Sequence, residues 1–395
     1  MFYRFSQSPV AVQSVLLATC AFAFLILSQG MGFDVVMRNY YLGGHAFING
    51  QNPYEITLQN GPWNQFKYSP LFALIMGGLA QPTRQGAIIG LWLLTGMAAF
   101  SFGLSRWCDL TRKAPTYIAF ALLAGLLDLV VSMSSYQANA LIAGLVLLGV
   151  AEYRDGRFFS AGAMLLLASN FKVYPTIFLI ALALRFRTTY WIGALSAGVV
   201  AFLLPALFVG WSHNLEMHIA WFHVVLGDAG GDSELDLLSA FQRIGLNSVG
   251  LALRWLVLVA TIPTFFAYFC LAKRPDWRPW MTFGLASLLL LSPKTEVFTY
   301  VLLAPSYVLM ASWCAESPRR IVRSYAGPLF TILAVAIASC RYIDPEWWES
   351  ASPYEVVRVI GAMGYWVLTA GILGGEIVRL LKPGTADSGA DGRRS

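Results

Sequence analysis

Charge is scarce in this 395-residue chain: Asp, Glu, Lys and Arg together make up 12% of it, while 57% of its residues are hydrophobic. Soluble domains average about 25% charged residues, and a soluble chain of this length needs far more polar side chains to cover its surface. Cysteine is scarce as well. Cys20, Cys108, Cys270, Cys314 and Cys340 form no C-x-x-C pair and lie mostly in apolar runs, so neither a zinc site nor a disulfide framework is indicated. The sequence also lacks a glycine-rich phosphate cradle, a G-x-S-x-G elbow and a soluble nucleotide-binding unit. A cytosolic sugar nucleotide therefore has no place to bind.

Apolar runs long enough to cross a ~30 Å hydrocarbon core recur along the whole chain, which makes this an all-α polytopic integral membrane protein. Clear spans run over roughly 10–33, 86–105, 115–134, 138–152, 190–210, 246–271, 325–343 and 356–380. Thr19 is wrong for the residue before a lipoprotein cysteine, and the apolar stretch from Val10 to Met31 is too long for a signal peptide; it reads as an uncleaved first span. Two stretches are ambiguous. Residues 158–187 hold Asn170, Lys172 and Pro175 at their middle, and 281–314 hold Ser292 through Glu296. Each is either one kinked span or two short helices meeting at a polar turn.

The distribution of basic residues chooses between these options. With each stretch broken into two short helices, and 68–82 dipping in without crossing, 18 of the 27 basic residues fall in the cytoplasm beside only eight acids. Nine basic residues and 13 acids remain outside. One unbroken helix over 158–187 would instead expel Arg185 and Arg187. The expectation is about 12 spans with both termini cytoplasmic, in the plasma (inner) membrane. The formal net charge of +6 is then mostly a topology signal, and no nucleic-acid partner is expected.

Polar chemistry concentrates on the outer side. Asp34 directly follows the first span, where a hydrocarbon boundary raises a carboxylate's pKa. It can serve as a general base on a hydroxyl or simply mark a helix end. Lys172, Lys294, Arg254 and Asp128 sit inside apolar stretches, where an unpaired charge costs ~2.5–3.5 kcal/mol. Such residues line a cavity or pair with one another, as Lys294 could with Glu296. An outward cavity with two lysines would suit a phosphate, and Arg38 and Lys67 add positive charge beside it. Gln137 and Asn139 open a helix. His213, His218 and His223 are spaced so that neighbours fall about 140° apart on a helix, which gives no single metal face. With Asp228, Asp232, Glu234 and Asp236, they read as solvated loop. No metal and no cofactor is expected.

Several segments together resemble a known family. They are Phe33-Asp34 with Tyr40-Tyr41, Gly50 through Tyr54, and Tyr68-Ser69-Pro70-Leu71-Phe72-Ala73-Leu74. Gln137-Ala138-Asn139 resembles a G-Q-x-N helix start, and Asn170-Phe171-Lys172-Val173-Tyr174-Pro175 an L-K-x-Y-P turn. Leu291-Ser292-Pro293 followed by Tyr300-Val301-Leu302-Leu303 resembles an S-P…Y-x-L-L segment. In order and spacing, over about residues 30–310, the set is similar to the polyprenyl-phosphate-mannose-dependent glycosyltransferases of family 87, which have the GT-C fold. The chain departs from the pattern at Tyr136 (for Gly), at Ser69 (for Pro) and over Lys294–Thr299.

The resemblance implies an outward-facing cavity flanked by short broken helices. It implies a polyprenyl phosphate sugar as donor, mannose by default, a glycolipid or glycan acceptor, and inversion with Asp34 as base. Arg38, Lys67, Lys172 and Lys294 would hold the donor phosphate. Tyr41, His45, Gln137, Asn139, Tyr174 and Glu296 would meet the sugar or acceptor. Residues 1–310, with the outer loop 34–69, would form the catalytic module, 311–382 the C-terminal membrane helices, and 383–395 a disordered cytoplasmic tail. The competing reading is a secondary transporter of a small polar or anionic solute, since broken helices also build transport sites.

Overall fold

The computed structural model describes residues 35–55, 66–78, 85–107, 116–228, 236–292, 295–343 and 354–382. Asp34, Lys294, the expected first span and the tail lie outside them. Every regular element among the described residues is helical. This follows from the composition, because long apolar runs can satisfy their backbone within hydrocarbon only as helices or closed barrels.

The helices are α1 Val35–Ile48, α2 Pro70–Gly77, α3 Gln85–Ser105, α4 Thr116–Ser134, α5 Asn139–Arg154, α6 Phe158–Phe171, α7 Thr176–Ala183 and α8 Thr188–Val209. They continue as α9 Trp211–Asp228, α10 Leu237–Arg243, α11 Asn247–Leu271, α12 Trp277–Leu291, a 3-10 turn η1 Val297–Leu302, α13 Ala304–Glu316, α14 Gly327–Ile343 and α15 Tyr354–Leu381. Among the described residues, six segments are long and apolar enough to cross a membrane: Gly86–Ser105, Thr116–Ser134, Thr188–Val209, Asn247–Leu271, Val322–Ser339 and Val356–Leu381. Helix α2, with eight residues, extends only about 12 Å and is too short to cross.

Both ambiguous stretches are broken. Lys172 leaves the helical backbone region at φ −142°, ψ 141°, which ends α6, and Pro175 starts α7. The hairpin returns to the end it started from: the Arg187 guanidinium lies 5.3 Å from the Phe158 ring centroid. In the second hairpin, Arg278 near the start of α12 bonds Glu316 at the end of α13 at 2.7 Å. The ends of both hairpins lie away from their turns, at a charged end. There Arg106 reaches Glu152 at 2.9 Å, Arg154 reaches Asp155 at 2.9 Å, and Arg157 also pairs with Glu152. Arg185 donates to the carbonyls of Phe269 and Ala272, closing the C-terminus of α11.

Small residues let the helices approach closely. A Cβ on Gly162 of α6 would run into the Tyr190 carbonyl of α8, and one on Gly193 of α8 into the Phe159 carbonyl of α6. The C-terminal helices are not peripheral. Helix α15 packs on α11, α12 and α14, and α4 packs on α13 and α14.

Two intramembrane charges are paired, though not with each other. Asp128 of α4 meets Arg358 of α15, and Arg254 of α11 lies 3.6 Å from Asp236, the N-cap of α10. The expected solvated loop around His213, His218 and His223 is corrected to helix α9, because one side of its periodic apolar residues buries Met217 and packs Trp221 against the core. Asp236, expected as loop, is buried and caps α10, its carboxylate accepting the Ser239 N–H.

Candidate active site

At the end of the molecule opposite the charged one, five separate elements converge. Helix α1 supplies Tyr40, fully buried, whose O–H donates to the Tyr68 hydroxyl at 2.9 Å and accepts the Ala138 N–H at 3.2 Å. Burial first, and then the adjacent Tyr68 phenol, holds Tyr40 well above the ordinary tyrosine range, so it keeps its proton as a donor. Tyr68 stacks on Phe72 with ring centroids 4.3 Å apart, and Phe72 meets Trp92 and Phe171 edge-on. This aromatic block sets the floor of the site.

Ser69 joins the first loop to the first hairpin. Its Oγ caps α2 by accepting the Phe72 N–H at 3.3 Å, and donates to Asn170 Oδ1 at 2.6 Å. Asn170 sits one residue before the end of α6, so the bond locks the polar turn carrying Lys172 against the loop.

Asn139, fully buried at the first position of α5, is the hub. Its Oδ1 accepts from Lys172 Nζ at 3.0 Å and from the Tyr174 hydroxyl at 3.1 Å. The Lys172 ammonium also lies 5.7 Å from the Tyr68 ring centroid. No carboxylate among the described residues pairs with Lys172. Gln137, also buried, points its Nε2 to Glu296 Oε2 at 3.4 Å, and its Oε1 has no partner among the described residues. Glu296 is held in place by a capping box. Its carboxylate accepts the Thr299 N–H, while its own N–H donates to Thr299 Oγ1 at 3.2 Å.

Gln137, Asn139, Lys172, Tyr174 and Glu296 thus come together in one polar cluster. Arg38, Tyr41 and His45 do not join that network. Arg38 and His45 are exposed on α1, where His45 lies against Tyr41 (ring centroids 5.8 Å) and contacts Asn49. Lys67 touches the site's rim through its backbone, its carbonyl accepting the Trp221 indole N–H at 3.1 Å. Asp34 and Lys294 fall outside the described residues, immediately before α1 and two residues before Glu296.

Four participants were not among the expected site residues: Tyr40, Tyr68, Ser69 and Asn170. The signal for them is position: each lies within or beside one of the short motifs. The backbone adds another. Tyr136, standing where the motif has glycine, adopts φ 54°, a conformation glycine occupies without strain.

Among the described residues the arrangement offers one cation, several hydrogen-bond donors and a buried carbonyl oxygen where two broken helices turn, which suits a polar, anionic ligand. No curated protein matches the chain. The model of glycosyltransferase family 87 matches residues 66–293, more than half of the sequence and all of the network from Tyr68 to Lys172. The chain belongs to glycosyltransferase family 87.

Proposed function

We propose that this membrane glycosyltransferase moves a hexose, with mannose the default of the family, from a polyprenyl phosphate to an acceptor hydroxyl on a glycolipid or glycan. The reaction takes place at the outer face of the plasma membrane, in a cavity of a GT-C-type fold with about 12 spans and both termini cytoplasmic. Asp34 takes the acceptor's proton as its oxygen attacks the anomeric carbon from the face opposite the phosphate. The bond from that carbon to the phosphate oxygen breaks, its electron pair leaves with the phosphate, and the configuration inverts.

The observation that carries this reading is the Lys172 ammonium. It is held by a buried amide oxygen, 3.0 Å away, with no described carboxylate neutralising it. A cation presented in that way stabilises the charge that develops on a leaving phosphate. Lys294 and Lys67 or Arg38 complete the phosphate contacts. Gln137 Oε1, Asn139, Tyr174 and Glu296 meet sugar hydroxyls, with Tyr41 and His45 on the acceptor side. Membership of a glycosyltransferase family supports glycosyl transfer over transport.

The test is transfer from a polyprenyl phosphate sugar by the purified, reconstituted protein. Asp34→Asn should abolish turnover while leaving the protein monodisperse. Full activity in that variant removes Asp34 from its role.

A further inference from the structure

Helix α9 presents three different faces. At 100° per residue, Trp211, Leu215, Ile219, Phe222 and Leu226 fall within an arc of about 80°, and all five are exposed. The neighbouring arc holds Ser212, Glu216 and His223, also exposed. The remaining arc faces protein: Asn214 and Met217 are buried, Asn214 Nδ2 donates to the Phe202 carbonyl at 3.0 Å, and Trp221 bonds the Lys67 carbonyl.

A helix immersed in hydrocarbon would not expose Glu216 and His223, and one in water would not expose five large apolar groups in a row. Both faces are satisfied together only at the boundary between the two media. The preceding span fixes where that boundary is. Helix α8 exposes Leu203, Leu204, Leu207 and Phe208 along its last turns and ends at Gly210, whose φ of 82° redirects the chain. Trp211 then lies against Phe202 with ring centroids 5.5 Å apart, so the stripe continues the apolar face of a membrane-crossing helix.

We propose that α9 lies along the membrane surface at the site end, with its Trp211-to-Leu226 stripe among the acyl chains and its Glu216 and His223 face in water. Through Trp221 and the Lys67 carbonyl it sets the rim of the site at the depth of the lipid headgroups. The inference is independent of the glycosyl-transfer reading, and its readout is lipid contact, not activity.

The test uses the full chain with its five cysteines replaced and one spin label introduced by Leu215→Cys, Ile219→Cys, Glu216→Cys or His223→Cys. The protein is reconstituted in phosphatidylglycerol and phosphatidylcholine vesicles. At 215 and 219, membrane-dissolved oxygen should relax the label several-fold more than a water-soluble nickel chelate, and at 216 and 223 the order should reverse. Equal nickel access at 219 and 216 overturns the proposal in favour of a solvated helix. Exclusion of both agents at 219 with broadening between labels overturns it in favour of a second copy of the chain. Unsubstituted protein exposed to a photoactivatable lipid provides a second reading. Adducts should collect on the stripe and not on Ser212, Glu216 or His223, and the opposite distribution overturns the proposal.

Discussion

Arg358 of α15 and Asp128 of α4, 230 positions apart in the chain, form an ion pair at 3.2 Å with both side chains 1% exposed. Tyr307 of α13 donates to the other Asp128 oxygen at 2.8 Å, and the Arg358 guanidinium lies 5.2 Å from the Tyr300 ring of η1. The pair fastens the C-terminal helices to the element that follows Glu296. Losing one partner leaves a buried charge uncompensated, at a cost of about 3–5 kcal/mol, whereas replacing both with apolar groups is close to neutral. Asp128→Leu should therefore lower the thermal midpoint in detergent sharply, and Asp128→Leu with Arg358→Met should recover most of it. A double variant no better than the single one would show that the pair is not the coupling.

The site hub makes a kinetic prediction. Lys172→Met should reduce kcat about 10²–10³-fold, the usual cost of one group that stabilises transition-state charge. Lys172→Arg should retain part of the rate. Asn139→Leu, which strips Lys172 and Tyr174 of their shared acceptor, should fall near Lys172→Met. Steady-state kinetics on reconstituted protein checks all three, and wild-type turnover by Lys172→Met would remove it from phosphate binding.

Tyr136 reverses a familiar preference. Alanine is usually better tolerated than glycine, but at φ 54° a Cβ is strained. Both Tyr136→Gly and Tyr136→Ala lose a buried ring, so both should be destabilised, yet the glycine variant should be the more stable of the two by about 1 kcal/mol. Comparing their thermal midpoints decides it.

At the charged end, acid should loosen the structure. Burial alone would raise the Asp155 carboxyl, but Arg154 and Arg106 outweigh it and hold the group below its ordinary value. A depressed carboxylate contributes stability that is complete above its unfolded pKa, near 3.9, and is lost as pH falls through the folded value. Midpoints measured from pH 6 down to pH 3 should drop less steeply in Asp155→Asn than in the parent.

Gly162 tests the close approach of α6 and α8. Gly162→Leu must push the Tyr190 carbonyl away and should cost several kcal/mol, visible as aggregation or loss of the folded peak on size exclusion.

Much of this was legible in the sequence, because charge bias and apolar run length act one segment at a time. The basic residues alone required 158–187 to fold back, and Arg187 over Phe158 bears that out. Gln137, Asn139, Lys172 and Tyr174 were readable as neighbours because each sits in a short motif, and Glu296 because it closely follows one. Pairing partners were not readable. Asp128 and Arg254 were each expected to find a counter-charge, but Arg358 and Asp236 are chosen by three-dimensional packing that no local pattern encodes. Helix α9 is hidden in the sequence for a related reason. Its three faces divide among protein, lipid and water, which gives a mixed composition that reads as loop until burial is known.

The bonds that close the site join residues very far apart in the chain: Ser69 with Asn170 across 101 positions, and Gln137 with Glu296 across 159. Any continuous fragment that contains them all must run from Ser69 to Glu296, more than half of the protein. Activity should therefore emerge only after the last contributing hairpin has been synthesised and seated. Split versions of the chain should be silent individually and regain turnover only when co-expressed, which makes catalysis a reporter of completed assembly.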